Sequence, residues 1–188
     1  MRAAKERNAR QFIFASSEWV YGDFHGSESK SEDSVIDISK NPSEYAFSKF
    51  VSEVNLRQEY NRGFCPVTVL RFGIIYGPRR TNWSAVESLM SAVEKQNKVS
   101  VGSLKTGRRF VHVADIARGI VAAIGLQGFE IINLVGREII TLGDVIGESE
   151  KILNKKVERE ELNSDKISIR NPSSDKAKRV LNWEAKIG

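Results

Sequence analysis

Tyr45 and Lys49 are spaced so that their side chains can act together in proton transfer. The Y-x-x-x-K pattern puts them one turn apart on the same face of a helix. An ammonium group beside a phenol favours the phenolate, which is the form that acts as a general base. The same spacing occurs by chance on many helix faces, so the pair indicates catalysis only together with neighbours of matching chemistry.

Ser16 and Ser17 are candidates for such neighbours. They follow Phe12–Ala15, a short apolar run that predicts a buried strand. Parallel sheets carry their functional groups at the carboxyl ends of the strands. A hydroxyl, a phenol and a lysine gathered at one strand end would form a proton-handling triad. The alternative is that the two serines simply begin a loop.

The segments around these residues predict a βαβ unit. Glu44–Asn61 carries apolar residues at helical spacing, and Gly63 stands where a C-terminal cap belongs. Val67–Phe72 is rich in β-branched and apolar residues and predicts the next strand. Strand, helix and strand in this order make one crossover between parallel strands. The sequence therefore predicts an α/β fold with a parallel sheet.

The rest of the chain continues the alternation of strands and helices. Asp23–Asn41 is polar and without periodicity, which predicts a loop long enough to suggest a function. Ala114–Leu126 is nearly all apolar and predicts a helix buried on most sides. Thr141 and Asp144 predict a capped helix that runs to Leu153. The other predicted elements are helices at Ala3–Arg10, Ser84–Gln96 and Ser174–Leu181, and strands at Arg109–Val113, Ile131–Leu134 and Val157–Leu162.

Composition and charge argue against several classes of protein. The 188 residues include 29 basic and 24 acidic side chains, a net charge of +5. The basic residues are not interleaved with aromatics, which argues against a nucleic-acid partner. Gly119–Leu126, the longest apolar stretch, is far shorter than the roughly 18 residues of a membrane helix, and no signal peptide is visible. A single cysteine, Cys65, and two histidines argue against disulfides and metal sites. We expect a cytoplasmic protein with no membrane partner.

Six motifs occur in the order found in one known family. They are FIFASSEWVYG (12–22), EYAFSK (44–49), LRFGIIYGPR (70–79), GRRFVHVADIA (107–117), IINLVG (131–136) and DKAKRVLNW (175–183). In this order they resemble the extended short-chain dehydrogenase/reductase family, the NAD-dependent nucleotide-sugar epimerases and dehydratases of the UDP-glucose/galactose 4-epimerase type. The resemblance covers nearly the whole chain and implies a Rossmann-like parallel sheet with a small C-terminal substrate-binding lobe.

The resemblance also implies a role for each matching residue. Tyr45 would be the general base that takes a proton from a sugar hydroxyl, and Lys49 would hold the nicotinamide ribose of NAD. Ser17 would hydrogen-bond the reacting oxygen. Arg108 would grip the diphosphate of a nucleotide-sugar substrate, a task that suits a planar guanidinium. Phe72, Gly73 and Ile74 would lie close to the nicotinamide. The two arginine pairs, at 79–80 and 108–109, suit an anionic substrate, so Arg79 joins Arg108 as a candidate.

Glu18 bears on which reaction the family resemblance implies. The dehydratases carry two neighbouring acids after the position of Ser17, whereas this chain has Glu18 followed by Trp19. Elimination of water needs both an acid and a base, while epimerisation needs oxidation, rotation and re-reduction. The sequence therefore favours an epimerase, with Glu18 as a substrate contact. The alternative is a solvated loop carboxylate.

The chain also departs from the family pattern. The sequence has no glycine-rich turn between a strand and a helix, the feature that binds the pyrophosphate of NAD. By comparison with the family, about the first third is absent. Ile74 stands where many relatives carry an asparagine, and Arg109 where an aspartate is common. These departures leave the exact substrate open.

Two hypotheses follow for the chain as a whole. In the first it is an NAD-dependent epimerase, with residues 1–80 as the C-terminal part of a Rossmann-like domain that carries the triad. Residues 81–188 are then mostly a substrate-binding lobe, with strands that return to the sheet. In the second it is a non-catalytic remnant, or a substrate-side fragment that cannot bind NAD alone. An uncovered sheet edge also makes a homodimer possible.

Overall fold

Strands and helices alternate along the chain, as the sequence predicts. The computed structural model describes residues 1–40, 43–81 and 83–187. In chain order the elements are α1 (Arg2–Glu6), β1 (Phe12–Ser17), α2 (Glu44–Asn61), β2 (Val67–Phe72), β3 (Ile75–Tyr76), α3 (Ala85–Lys95), β4 (Lys98–Val101), β5 (Gly107–Arg108), β6 (Val111–His112), α4 (Val113–Ala122), β7 (Phe129–Leu134), β8 (Ile140–Thr141), α5 (Leu142–Leu153), β9 (Glu158–Glu161) and α6 (Asp175–Leu181). Short 3₁₀ turns lie at Glu18–Tyr21 and Ile38–Lys40.

Three parallel strands form the central sheet, in the order β1-β2-β7. Their register places Ser17 opposite Phe72, and Phe72 opposite Leu134. All three strands therefore end at the same edge of the sheet. The parallel pairing confirms the predicted α/β class.

Helix α2 connects β1 to β2 and covers one face of the sheet. Its first turn is capped by Ser43, whose Oγ accepts a hydrogen bond of 3.3 Å from the Ala46 amide. Leu56 packs against Val67 and Val69 of β2. Gly63 follows the helix with a φ of +88°, a conformation that favours glycine, so the predicted C-terminal stop is confirmed.

Helices α4 and α6 cover the other face of the sheet. The core on this side contains Leu70, Ile132, Leu134 and Ile116, with Trp183 from the chain that follows α6. The prediction that the 114–126 helix is buried on most sides is wrong. Helix α4 spans only Val113–Ala122, and it buries Asp115, Ile116 and Gly119 while Val121 stays 66% exposed. One stripe of α4 packs on the sheet, and no described element covers the opposite stripe.

A second hydrophobic cluster forms beyond the sheet. Helix α3 packs against α5, and β4 pairs in parallel with β9. Both helices begin with capping boxes, Ser84 with Glu87 and Thr141 with Asp144, the second of which the sequence predicts. The division of the chain at residue 80 stays a prediction.

Several segments differ in detail from their predictions. The first helix, predicted to run to Arg10, ends at Glu6. The strand expected at 109–113 is split, since β5 ends at Arg108, β6 covers Val111–His112 and α4 already begins at Val113. The long polar loop is anchored by a bridge between Lys30 and Pro172. Within the described ranges, no helix combines the length and apolar character needed to cross a membrane.

Candidate active site

Ser17 lies at the carboxyl end of β1. The strand runs two residues further than predicted, so Ser16 and Ser17 belong to it instead of beginning a loop, and both are buried. The Ser17 Oγ accepts a 3.3 Å hydrogen bond from the Trp19 amide and so caps the 3₁₀ turn that follows. Burial and this cap fix the hydroxyl at the edge where the three strands end.

Tyr45 and Lys49 lie on α2 beside the same strand end. The Lys49 Nζ donates a 2.9 Å hydrogen bond to the Ala15 carbonyl oxygen, two residues before Ser17. The same Nζ lies 5.5 Å from the centre of the Tyr45 ring and 5.2 Å from that of Phe14. Tyr45 itself is 52% exposed, so its hydroxyl can reach a bound molecule. The structure thus brings the three predicted catalytic residues to one end of β1.

Phe72 is the last residue of β2, and Gly73 and Ile74 follow it. Phe72 pairs with Ser17 in the sheet register. A Cβ on Gly73 would lie 2.9 Å from the Arg109 carbonyl oxygen, so this crossing of two backbones admits only glycine. Ile74 packs against the second hydrophobic cluster. A packing role accounts for Ile74, and its predicted contact with a cofactor stays a prediction.

The two candidate arginines are held by the protein itself. Arg79 pairs with Glu87 at 3.1 Å and donates a 2.9 Å hydrogen bond to the Ile75 carbonyl oxygen. Arg108 donates to the Gly107 carbonyl oxygen at 2.7 Å and to that of Ser168 at 2.6 Å. These contacts orient both guanidinium groups, and their roles toward a substrate stay predictions.

Burial and charge act on the pKa of Arg108. Burial lowers this pKa, and the positive charge of Arg170 lowers it further, while Glu18 opposes the change. The two guanidinium groups and the carboxyl group therefore lie close enough to form one electrostatic cluster.

Glu18 is fully buried, so the alternative of a solvated loop carboxylate is wrong. It lies in the first position of the 3₁₀ turn, where the chain turns back under the strand end. Burial raises the pKa of its carboxyl to about 7, against the opposing charges of Arg170 and Arg108. Neither carboxylate oxygen has a hydrogen-bond partner among the described residues.

Sequence reasoning misses two parts of this region. Arg170 lies 4.3 Å over the Trp19 ring and donates a 2.8 Å hydrogen bond to the Gly22 carbonyl oxygen. No local pattern around Arg170 signals this contact. A buried pair also lies behind the strand end, where Arg71 binds Glu53 with two hydrogen bonds of 3.1 and 2.6 Å. An arginine inside an otherwise apolar strand is the signal that could have revealed this pair.

Comparisons with known proteins bear on the same region. A UDP-glucuronate 4-epimerase of Thermodesulfobacterium geofontis is 28% identical over 191 residues, covering 97% of this chain and 57% of the relative. An uncharacterized UDP-glucose epimerase of Bacillus subtilis is 29% identical over 194 residues, covering 98% and 58%. The chain thus spans less than two thirds of the length of these curated relatives.

A solved structure matches the fold described above. The UDP-glucuronic acid 4-epimerase of Bacillus cereus, in complex with UDP-glucuronic acid and NAD, superposes with a TM-score of 0.80 and 27% identity. The match covers 95% of this chain and 57% of that one. The model of the NAD dependent epimerase/dehydratase family matches residues 1–134, which include β1, α2 and the central sheet. The chain belongs to the NAD dependent epimerase/dehydratase family.

Proposed function

We propose that this chain carries the proton-transfer and sugar-binding residues of an NAD-dependent epimerisation of a nucleotide sugar. The observation that supports it most is the gathering of Ser17, Tyr45 and Lys49 at one strand end, with Lys49 anchored on Ala15 at 2.9 Å. The relatives named as UDP-sugar epimerases support the same reaction class.

Each residue of the triad has a defined task in this proposal. The Tyr45 hydroxyl, as phenolate, takes the proton from the sugar hydroxyl and later returns it. The ammonium group of Lys49 lies 5.5 Å from the centre of that ring, so its positive charge faces the site of proton transfer. The Ser17 hydroxyl hydrogen-bonds the reacting sugar oxygen. NAD, when bound, supplies hydride acceptance and return at the sugar carbon.

The residues around the triad fit the nicotinamide end of NAD. The Lys49 ammonium has three N–H groups, and within the described part of the chain one of them donates to Ala15, which leaves the others for ribose hydroxyls. Phe72 ends the neighbouring strand, and Gly73 and Ile74 follow it. These residues would line the ring. The sugar diphosphate would meet Arg108 and Arg79, with Glu18 near the sugar.

One observation favours a second candidate function. The sequence contains no glycine-rich turn that opens a helix, and such turns hold the pyrophosphate of dinucleotides. The chain also spans 57% of the length of the Thermodesulfobacterium relative. Both facts support a substrate-side fragment that keeps the triad but does not bind NAD alone.

Calorimetric titration of the 188-residue chain with NAD separates the two candidates. Saturable micromolar binding, followed by turnover of UDP-glucose or UDP-glucuronic acid, supports the epimerase. In that case Tyr45→Phe abolishes turnover and leaves the melting temperature unchanged. Absence of NAD binding, with nucleotide-sugar binding retained, supports the fragment. If Tyr45→Phe keeps its turnover, the proton-transfer role is wrong.

A homodimer is the second part of the proposal. Helix α2 exposes Phe47, Val51 and Val54 on one side, and β1 is the outer strand of the three-stranded sheet. Exposed apolar patches and unpaired strand edges favour association. Light scattering tests this, and a monomer with a high, cooperative melting transition contradicts it.

A further inference from the structure

Glu18 has hydrogen-bonding capacity that the protein leaves unused. Its side chain is fully buried, yet both carboxylate oxygens lack a partner among the described residues. Buried polar groups in proteins are hydrogen-bonded in the great majority of cases. An acceptor in this condition, directly after Ser17, marks a place where a molecule from outside the chain can bind.

Arg170 supplies the complementary donor. Its residue is 6% exposed, and its Nε is likewise unpartnered among the residues that the structure describes. The rest of the guanidinium is held in place, since Nη1 donates to the Gly22 carbonyl oxygen and the group stacks on Trp19 at 4.3 Å. The charges of Glu18 and Arg170 interact, but no hydrogen bond joins them.

A neutral hydroxyl group matches both unpartnered atoms. It donates to a carboxylate oxygen and accepts from an N–H group at the same time. An anion would be attracted by Arg170 and Arg108 but repelled by ionised Glu18. These two arginines are the charged groups that act on Glu18 from the neighbouring elements. A sugar, with several hydroxyl groups, therefore fits better than a phosphate or a carboxylate.

We propose that Glu18 and Arg170 bind a hydroxyl group of the sugar and thereby select the hexose part of the substrate. This inference rests on the proposed nucleotide-sugar function and adds a sugar subsite to it. Glu18 is closed off from solvent, so the hydroxyl enters when the contact between Arg170 and the Glu18–Tyr21 turn opens. Trp19 lies in the same turn and offers an apolar surface beside the subsite.

Titration calorimetry with UDP-glucose and with UDP tests the subsite. We expect the wild-type chain to bind UDP-glucose more tightly than UDP. In Glu18→Gln this preference falls by about tenfold, because the hydroxyl then donates to a neutral amide oxygen instead of a carboxylate, while the UDP affinity stays unchanged. Arg170→Lys keeps the positive charge but removes Nε, and lowers the preference as well. Asp33→Asn, an exposed carboxylate in the polar loop, is the matched control and leaves both affinities unchanged.

Proton release on binding distinguishes a direct contact between Glu18 and the sugar from a merely structural role of Glu18. The pKa of Glu18 is raised to about 7, so the carboxyl is partly protonated at pH 7. A hydroxyl that donates to the ionised form expels that proton. Titrations in two buffers of different ionisation enthalpy should detect release of up to about half a proton with UDP-glucose, and none in Glu18→Gln.

The other outcomes separate the subsite from the function it rests on. If the wild type binds UDP as tightly as UDP-glucose, the unpartnered atoms hold only water and the subsite is wrong, while the nucleotide site stands. Proton uptake on binding, or an unchanged preference in Glu18→Gln, also overturns it. If neither ligand binds, the proposed function itself fails. Circular dichroism melts show whether each variant is folded.

Discussion

Lys49 is tied to Ala15 across the gap between α2 and β1. Its Nζ donates a 2.9 Å hydrogen bond to the Ala15 carbonyl oxygen, near the end of an outer strand. This contact fixes the ammonium group at the position where β1 leads into Ser17. It also sets the 5.5 Å separation between the ammonium and the Tyr45 ring. The contact therefore orients the ammonium group for the proposed proton transfer, while the packing of α2 on the sheet holds the helix in place.

Replacement of Lys49 should remove activity with little loss of stability. In Lys49→Met an apolar side chain of similar length remains on α2, whereas the ammonium group 5.2 Å from the Phe14 ring and 5.5 Å from the Tyr45 ring is gone. We expect the turnover of a UDP-sugar in the presence of NAD to fall by about 10² to 10⁴ fold. Steady-state assays measure this fall, and urea unfolding measures the stability.

Lys151→Met is the matched control, since Lys151 is an exposed lysine on α5 that pairs only with the exposed Glu148 among the described residues. It should change neither quantity. Equal losses of activity in both variants would mean that Lys49 acts through general surface charge.

The buried pair of Glu53 and Arg71 should be a main support of the strand end. Both side chains are at most 4% exposed, and Glu53 also accepts a 2.5 Å hydrogen bond from Ser16. Removal of one partner leaves an uncompensated buried charge. Glu53→Ala should therefore lower the free energy of unfolding by about 3 to 5 kcal/mol, measured by urea denaturation.

The double variant Glu53→Leu with Arg71→Met should be more stable than Glu53→Ala, because no buried charge remains. A double variant that is less stable than Glu53→Ala would contradict this, because it would mean that an unpaired Arg71 costs less than the loss of the Arg71 contacts.

Local patterns account for the elements that the sequence predicts well. The bounds of α2 and β2 agree with the prediction, because helical spacing, a cap and β-branched residues lie within each segment. The pairing of β4 with β9 has no such local signal. Lys98 and Glu158 are far apart in the sequence and become neighbours only when the chain folds. Which stripe of α4 stays exposed likewise depends on the elements that pack against the helix. The periodicity of its apolar residues does not identify those elements.

The residues of the candidate site also differ in how well the sequence predicts them. Tyr45 and Lys49 are found from spacing alone, because one helix positions both. Glu18 is buried only in the folded chain, and the charges that act on it come from Arg108 and Arg170, which lie far along the sequence. A carboxylate that follows a strand is normally exposed, so sequence reasoning allows the solvated alternative that the fold excludes.

Glu18 should make stability depend on pH between about 4.5 and 7. The ordinary pKa of this carboxyl is 4.5, and burial raises it to about 7 in the folded chain. The folded state then holds a proton that the unfolded state has released, so stability falls as the pH rises through this window. The loss should total about 3 kcal/mol. Urea unfolding of the wild type and of Glu18→Gln at pH 5 and 8 measures the difference.

Carboxyl groups whose pKa is lowered affect stability in a different pH range. Burial alone would raise the pKa of Glu87, but hydrogen bonds from Ser84, Gly77 and Arg79 lower it to about 2. Its contribution to stability is complete above pH 4.5 and is lost as the pH falls towards 2. It therefore does not mask the effect of Glu18. If the stability of the wild type and that of Glu18→Gln change with pH in parallel, the Glu18 carboxyl is ionised throughout this range. A hydrogen-bonding partner would then offset the cost of its burial.

Gly73 should tolerate no side chain at the backbone crossing beside the site. A Cβ there would lie 2.9 Å from the Arg109 carbonyl oxygen and 3.2 Å from the Val135 side chain. The backbone oxygen cannot rotate away as a side chain can, so the strand ends must separate. Gly73→Ala should therefore cost about 1 to 3 kcal/mol in the free energy of unfolding, measured by urea denaturation.

Gly102 provides the matched control for this prediction. A Cβ at Gly102 meets no atom within 4 Å, and its φ is not positive. Gly102→Ala should be neutral or stabilise the chain by up to about 1 kcal/mol, because alanine restricts the unfolded chain more than glycine does. If Gly73→Ala is as stable as Gly102→Ala, the end of β2 is free to move away from Arg109. Ser17, which is paired with Phe72 in the sheet, would then not be held rigidly at the end of β1.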